Sequence, residues 1–308
     1  MIELQLKLLG NDARNKAFFE ALKKTVQKGK SVVADIGSGT GFLSFLASKL
    51  GAKECHLYEY SDLLEMSRDL AELNGIKNCR FIKKHSAKVK NPPKADIVIS
   101  ETLGNYALEE NIIENLEDAK RFLAPAGVII PGKIAQFVAP VVSPRIINEI
   151  NPLNRVGFDL DFSPVQEVAL NNMFVFKIGK NDLLQGANSI QKYDDINFDK
   201  KNSSTRSGTV SWKLEKDTEI FGFGIWWNCI LVPSVTLSTS PFEPSTHWDQ
   251  IFLPLSRSIK AKKSQKLEVT IISNTHYEVG IRLEWNALLS DEKGRVLEEI
   301  VMDTWRGA

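Results

Sequence analysis

Over the first 132 residues, short apolar runs alternate with stretches of helical spacing. Residues 31–36 predict a buried strand, and 42–50, closed by Gly51, a helix. Residues 54–58 predict a second strand. Ser61 or Asp62 can then cap a helix that turns Leu63, Leu64, Leu70 and Leu73 inward and stops at Gly75. Strands at 79–82 and 95–100, a helix at 112–122 and a strand at 128–130 continue the alternation. Strand and helix in strict turn imply a parallel sheet covered on both faces.

From about Lys133 the pattern changes. Residues 134–142, 173–178, 209–214, 221–232, 266–272 and 279–287 are apolar or alternating runs rich in β-branched and aromatic side chains. They predict an antiparallel β-domain, a sandwich or barrel. Two domains follow, 1–132 and 133–308. Between the first two of these β-runs, 143–172 mixes polarity and carries Pro144, Pro152, Gly157 and Pro164, which predicts a projecting segment.

Composition narrows the classes. The 308 residues are 43% hydrophobic and 25% charged, as in globular proteins. A net charge of +1 provides no global field for nucleic acid or a membrane, so neither is expected as a direct partner. Cys55, Cys79 and Cys229 have no paired spacing, so a metal site is not expected and free thiols are. The start has no signal-peptide pattern, and no run approaches the roughly 18 apolar residues of a membrane span. A cytoplasmic location is the expectation.

Candidate chemistry begins at Asp35-Ile36-Gly37-Ser38-Gly39-Thr40-Gly41, between a strand and a helix. Glycines let the backbone approach a ligand, and the helix start offers free N–H groups. A dinucleotide fingerprint needs a third glycine one position later, where Phe42 stands. Asp35 suits a cationic aminopropyl group better than a pyrophosphate. Glu59, closing the second strand, can accept both hydroxyls of a ribose. The spacing is the form found in methyltransferases, and S-adenosyl-L-methionine is the expected cofactor.

Glu101 and Glu110 flank a loop bent at Gly104, past the carboxyl edge of a parallel strand. Two carboxylates in one pocket repel unless a cation sits between them, and a guanidinium is the planar, permanently charged fit.

These residues resemble the protein arginine methyltransferases. Glu101 and Glu110, with Ser100 and Gly104, match the family's double-glutamate loop. Residues 237–248, ending Thr246-His247-Trp248, resemble its threonine–histidine–tryptophan loop. Residues 8–14 with Phe18 and Leu22 resemble its cofactor helix. The resemblance implies a Rossmann-like domain of the seven-stranded methyltransferase type, then an antiparallel β-barrel with a dimerisation arm, for which 145–175 is the candidate, and a homodimer.

It further implies methyl transfer to an arginine of a protein or peptide. Glu101 and Glu110 would orient and polarise the guanidinium. His247 would line the substrate side, as part of a proton-release route. Arg14 would hold the cofactor carboxylate, and Ser86 would lie near the adenine. Asn11 stands where the family has an acid paired with the loop histidine, with Asp12 adjacent as the alternative. The family's lid helix, with its Tyr and Phe, would precede Leu8, where seven residues without an aromatic stand. A same-fold methyltransferase of another cationic or small substrate, and a cofactor-binding scaffold of weak activity, remain the alternatives.

Overall fold

A computed structural model describes residues 2–307. Helix α1 (Ile2–Leu9) leads into α2 (Asp12–Thr25), whose Arg14, Phe18, Ala21 and Leu22 form one buried face. Asn11 caps α2, its side-chain oxygen accepting the Arg14 N–H. The alternating region then gives β1 (Val32–Ile36), α3 (Phe42–Lys49), β2 (Glu54–Glu59), α4 (Leu63–Leu73), β3 (Cys79–Lys83), β4 (Ala95–Ile99), α5 (Ile112–Ala119) and β5 (Leu123–Ile130). The strands form one parallel sheet in the order β3-β2-β1-β4-β5. Central β1 is buried nearly throughout, which explains its apolar run.

Where a seven-stranded sheet would continue, the chain instead enters β6 (Lys133–Val141) of a second sheet. Helices α6 (Pro144–Ile150) and α7 (Ser163–Leu170) follow, then β7 (Phe174–Phe176), β8 (Gln191–Asn197) and β9 (Thr205–Lys213). The long β10 (Thr218–Val232) turns into β11 (Val235–Ser238). The chain finishes through β12 (Gln250–Ala261), β13 (Lys266–Asn274), β14 (Arg282–Ser290) and β15 (Val296–Asp303). One antiparallel sheet runs β7-β12-β10-β6-β8 with β11 beside β10, and the other runs β15-β14-β13-β9. Their inward side chains, among them Phe223, Leu253, Leu267 and Trp285, share one core. No strand pairing joins the two sheets among the described residues, so the barrel is an unclosed pair of sheets.

Several expectations are corrected. Strands β8, β11, β12 and β15 were not predicted, and β9 starts four residues before the predicted run. Strand β14 begins at Arg282, because 276–280 form a turn. Leu73 is 82% exposed, since it lies one residue before the cap of α4 and off the face that buries Leu64, Ser67 and Ala71. The predicted helix 112–122 is α5 followed by one tighter turn, Lys120–Phe122.

Candidate active site

The parallel sheet reverses its strand order between β1 and β4, and ligands of such sheets bind outside the carboxyl ends at this point. The sequence places an acid at each neighbouring strand end: Asp35 on β1, Glu59 on β2 and Glu101 just after β4. The Ser100 hydroxyl donates to the Ile36 carbonyl at 2.9 Å and ties two of these ends together.

The glycine loop is shaped by both backbone and packing. Gly41 has φ 81°, and a Cβ there would run into the Ser67 hydroxyl and the Phe45 ring. Glu59 braces the loop: one carboxylate oxygen accepts the Gly39 N–H at 3.0 Å and the other the Ser61 N–H at 2.8 Å. Each oxygen keeps a lone pair for a further donor. Asp35 is buried and accepts the Ser44 hydroxyl at 2.7 Å. Burial pushes its carboxyl up to about 7, with Glu59 adding to the rise and the Ser44 hydrogen bonds and Arg14 opposing it.

Glu101 is held from α2. Arg14 Nε donates to Glu101 Oε2 at 2.7 Å, a second Arg14 nitrogen donates to the same oxygen, and both side chains are buried. Glu110 stands at the exposed end of the loop. The surrounding protein raises its carboxyl to about 7, helped by the charges of Glu101 and Glu109. Glu109 accepts the Asn105 N–H at 2.9 Å and presses against Gly104, where a Cβ would have no room. Burial raises its carboxyl as well.

The antiparallel domain pins this loop from outside. Trp248 Nε1–H donates to the Leu103 carbonyl at 2.8 Å and Trp227 Nε1–H to the Gly104 carbonyl at 3.0 Å, and the two indoles meet edge to face at 5.1 Å. The Asp249 N–H donates to the Asn105 side chain at 3.0 Å. His247, beside Trp248, meets Asn11 at 2.5 Å between Nδ1 and Nδ2. Asp12, the alternative partner, points away: its side chain is 87% exposed and pairs with Lys16.

These groups line a cavity of about 600 Å³, within the range of small-molecule sites. Arg14, Asp35, Gly37, Gly39, Glu59, Glu101, Glu110 and His247 all face it. Gly41 and Ser86 do not. Gly41 acts by shaping the turn behind the wall. Ser86 is buried under Arg121, which donates to its carbonyl at 2.6 Å. Helix α1 roofs the cavity with Leu4, Gln5, Lys7 and Leu8, and a Cβ added at Gly39 would come into contact with the Gln5 side chain. Reading the sequence missed this roof, the Trp227 bond and Glu109. Only Glu109 left a local signal, as a third carboxylate beside Glu110.

The lining combines carboxylates (Asp35, Glu59), a guanidinium (Arg14) and open glycine backbone, groups whose chemistry fits the ammonium, carboxylate and ribose hydroxyls of S-adenosyl-L-methionine. The Ser38 hydroxyl at the same wall is buried without a partner. A switch-point cavity with these groups, under a helical roof, defines the class as an S-adenosylmethionine-dependent methyltransferase.

Comparison with known proteins narrows the class. The family model of the PRMT5 oligomerisation domain matches residues 133–295, over half of the chain, and that of ribosomal protein L11 methyltransferase (PrmA) matches 10–142. Protein arginine N-methyltransferase 1 of Saccharomyces cerevisiae is 26% identical, over 78% of this chain and 71% of its own. That of Dictyostelium discoideum is 27% identical over 91% and 85%. For protein arginine N-methyltransferase 2 of Xenopus tropicalis the identity is 25%, over 88% of this chain and 66% of the relative. Among solved structures, the Trypanosoma brucei PRMT1 enzyme-prozyme complex with AdoHcy superposes with a TM-score of 0.83 at 18% identity, covering 97% of both chains. Arabidopsis thaliana protein arginine methyltransferase 10 gives 0.80 at 19%, covering 99% and 98%. The chain belongs to the protein arginine N-methyltransferase family.

Proposed function

We propose that the protein transfers the methyl group of S-adenosyl-L-methionine to a guanidinium nitrogen of an arginine in a protein or peptide. The observation that carries this reading is the pairing of Glu101 and Glu110 on one cavity wall, with Glu101 already fixed by Arg14. Glu110, raised first by desolvation and then by the charges of Glu101 and Glu109, makes no ion pair among the described residues and is open to a cation.

The cofactor supplies an electrophilic sulfonium methyl. Asp35, Arg14, Glu59 and the Gly37–Gly39 backbone hold its amino-acid and ribose ends. Glu101 and Glu110 grip the guanidinium and draw its positive charge away from the attacking nitrogen. Arginine's pKa above roughly 12 rules out outright deprotonation by a glutamate, so positioning and electrostatics carry the catalysis. The roof of α1 and the His247 loop exclude water from the reacting groups. The division at 132/133 separates a cofactor-binding from an acceptor-presenting domain. The 145–175 arm, with exposed Phe158, Leu160, Val165 and Val168, is the surface for a second copy of the chain. No helix of the described residues is long and apolar enough to cross a membrane.

Transfer of radiolabelled methyl to an arginine-rich peptide, followed by amino-acid analysis, tests the reading. Methylarginine is expected from the wild type and none from Glu110→Gln. Label on another residue, or on no residue, overturns the acceptor assignment.

A further inference from the structure

Asn11 determines which nitrogen of His247 carries the proton. The Asn11 side chain is held at both ends. Its Oδ1 accepts the Arg14 N–H at 3.1 Å in capping α2, and only oxygen can do so. The amide nitrogen therefore faces His247, 2.5 Å from Nδ1. An amide nitrogen only donates, so Nδ1 must be the accepting, unprotonated nitrogen. A neutral imidazole that accepts at Nδ1 carries its proton on Nε2.

The surroundings favour the same state. Lys7 of α1 and Arg14 of α2 face the ring with positive charge, and the Trp248 indole covers it with centroids 3.8 Å apart. Of the nearby carboxylates, Asp12 is turned out to Lys16, Glu101 is bonded to Arg14, and Glu110 makes no ion pair with the ring. Burial, followed by Arg14 and Lys7, pushes the imidazole down to about 4. Nε2 has no hydrogen-bond partner among the described residues, and His247 lines the cavity.

We propose that Asn11 is a positioning residue that holds His247 as the neutral Nε2–H tautomer. His247 thereby offers the cavity a hydrogen-bond donor for a carbonyl oxygen of the acceptor chain and takes no proton during turnover. The tautomer follows from the Asn11 contacts alone, and only the acceptor carbonyl rests on the methyl-transfer reading. This role replaces the proton-release route that the resemblance implied for His247.

Long-range proton–nitrogen NMR of uniformly ¹⁵N-labelled protein reads the tautomer without any activity measurement. The chain has four histidines, and His247→Gln assigns the signal by its loss. The expected wild-type spectrum has an unprotonated Nδ1, a protonated Nε2 and no titration between about pH 5.5 and 8. An imidazolium or an Nδ1–H tautomer in that window overturns the proposal. Asn11→Asp keeps the capping oxygen but replaces the donor with an anion. It should protonate Nδ1 and move the midpoint up by about 1–3 pH units, and an unmoved midpoint also overturns the proposal. Asn11→Ser, which keeps a cap and lacks the amide donor, provides a second variant. It should mix the two tautomers, and a pure Nε2–H signal there would show that Asn11 does not set the state.

Discussion

Trp227 Nε1–H donates to the Gly104 carbonyl at 3.0 Å, across 123 positions of sequence and across the boundary between the two β-architectures. The bond runs from the middle of β10 to the bend of the loop bearing Glu101 and Glu110. With the Trp248–Leu103 bond it makes the loop's geometry a property of the antiparallel domain. The paired carboxylates are therefore set from outside the sheet that carries them.

Trp227→Phe keeps an aromatic ring in a fully buried position and removes the indole donor together with part of the ring volume. The Gly104 carbonyl then loses its partner, at a cost of about 1–3 kcal/mol. The loop should loosen while the cofactor wall, braced separately by Glu59, stays intact. The expected outcome is a fall in kcat of roughly tenfold with cofactor affinity within about twofold. Steady-state kinetics beside calorimetry check this, and an unchanged kcat would remove the pinning role.

If Asp35 meets the cofactor's ammonium as proposed, it should link cofactor binding to pH. Its folded pKa of about 7 lies above the ordinary 3.8, so the folded apo-protein keeps a proton that the unfolded chain has lost. Its contribution to stability is greatest below about 4, declines as pH rises to about 7, and is flat beyond, with an upper bound of about 4 kcal/mol. A cationic ligand wants the carboxylate, so binding below pH 7 should expel the proton. Affinity for S-adenosylhomocysteine should weaken by about tenfold per pH unit below that point. Calorimetry at acid pH in two buffers of different ionisation enthalpy measures the proton directly. Zero release in the wild type would contradict the assignment, and Asp35→Asn should show none.

Local pattern was enough for the parallel sheet, because its inner strands β1, β2 and β4 are short, largely buried runs, and for the glycine loop, whose turn is set by its own backbone. The double-glutamate loop was legible for the same reason: its two acids are nine residues apart. The missed strands hide their pattern. In β8, Asp194 points inward and is buried, yet it is satisfied by a bidentate Arg206 and by Gln136, so a core position reads as polar. In β12, Pro254 interrupts the run beside a register shift in its pairing with β10. Arg14–Glu101, Asn11–His247 and Trp227–Gly104 join residues 87 to 236 positions apart. No periodicity carries such pairings.

The arm gives a prediction about assembly. Phe158 is 89% exposed, and Gly157, Phe158 and Asp159 follow one another with φ of 70°, 60° and 54°. Side chains in that region cost of order 1–3 kcal/mol each, and a bulky apolar residue held there in water has nothing to offset the cost. Burial of Phe158 and Leu160 against a second copy would supply it. The double variant Phe158→Asp, Leu160→Asp should sediment at half the wild-type mass while keeping the wild-type melting profile of the parallel domain. A wild type that sediments as a monomer at micromolar concentration would contradict the arm's role.

On the proposed reading, Glu110 should set the pH at which the acceptor can be gripped. Its carboxyl is raised to about 7, first by the surrounding protein displacing water and then by Glu101 and Glu109, so in the apo-protein it is substantially protonated near neutrality. Only the carboxylate can pair with a guanidinium, which stays charged throughout. With cofactor saturating, kcat/KM for the acceptor should rise with pH and level off at or below about 7, the limb reporting the enzyme–cofactor complex, whose sulfonium charge favours the carboxylate. Glu109→Gln removes one of the two neighbouring charges and leaves Glu110 in place. Its limb should shift to lower pH while the plateau changes less. A limb that does not move would mean that Glu110 is not the group whose ionisation limits acceptor capture.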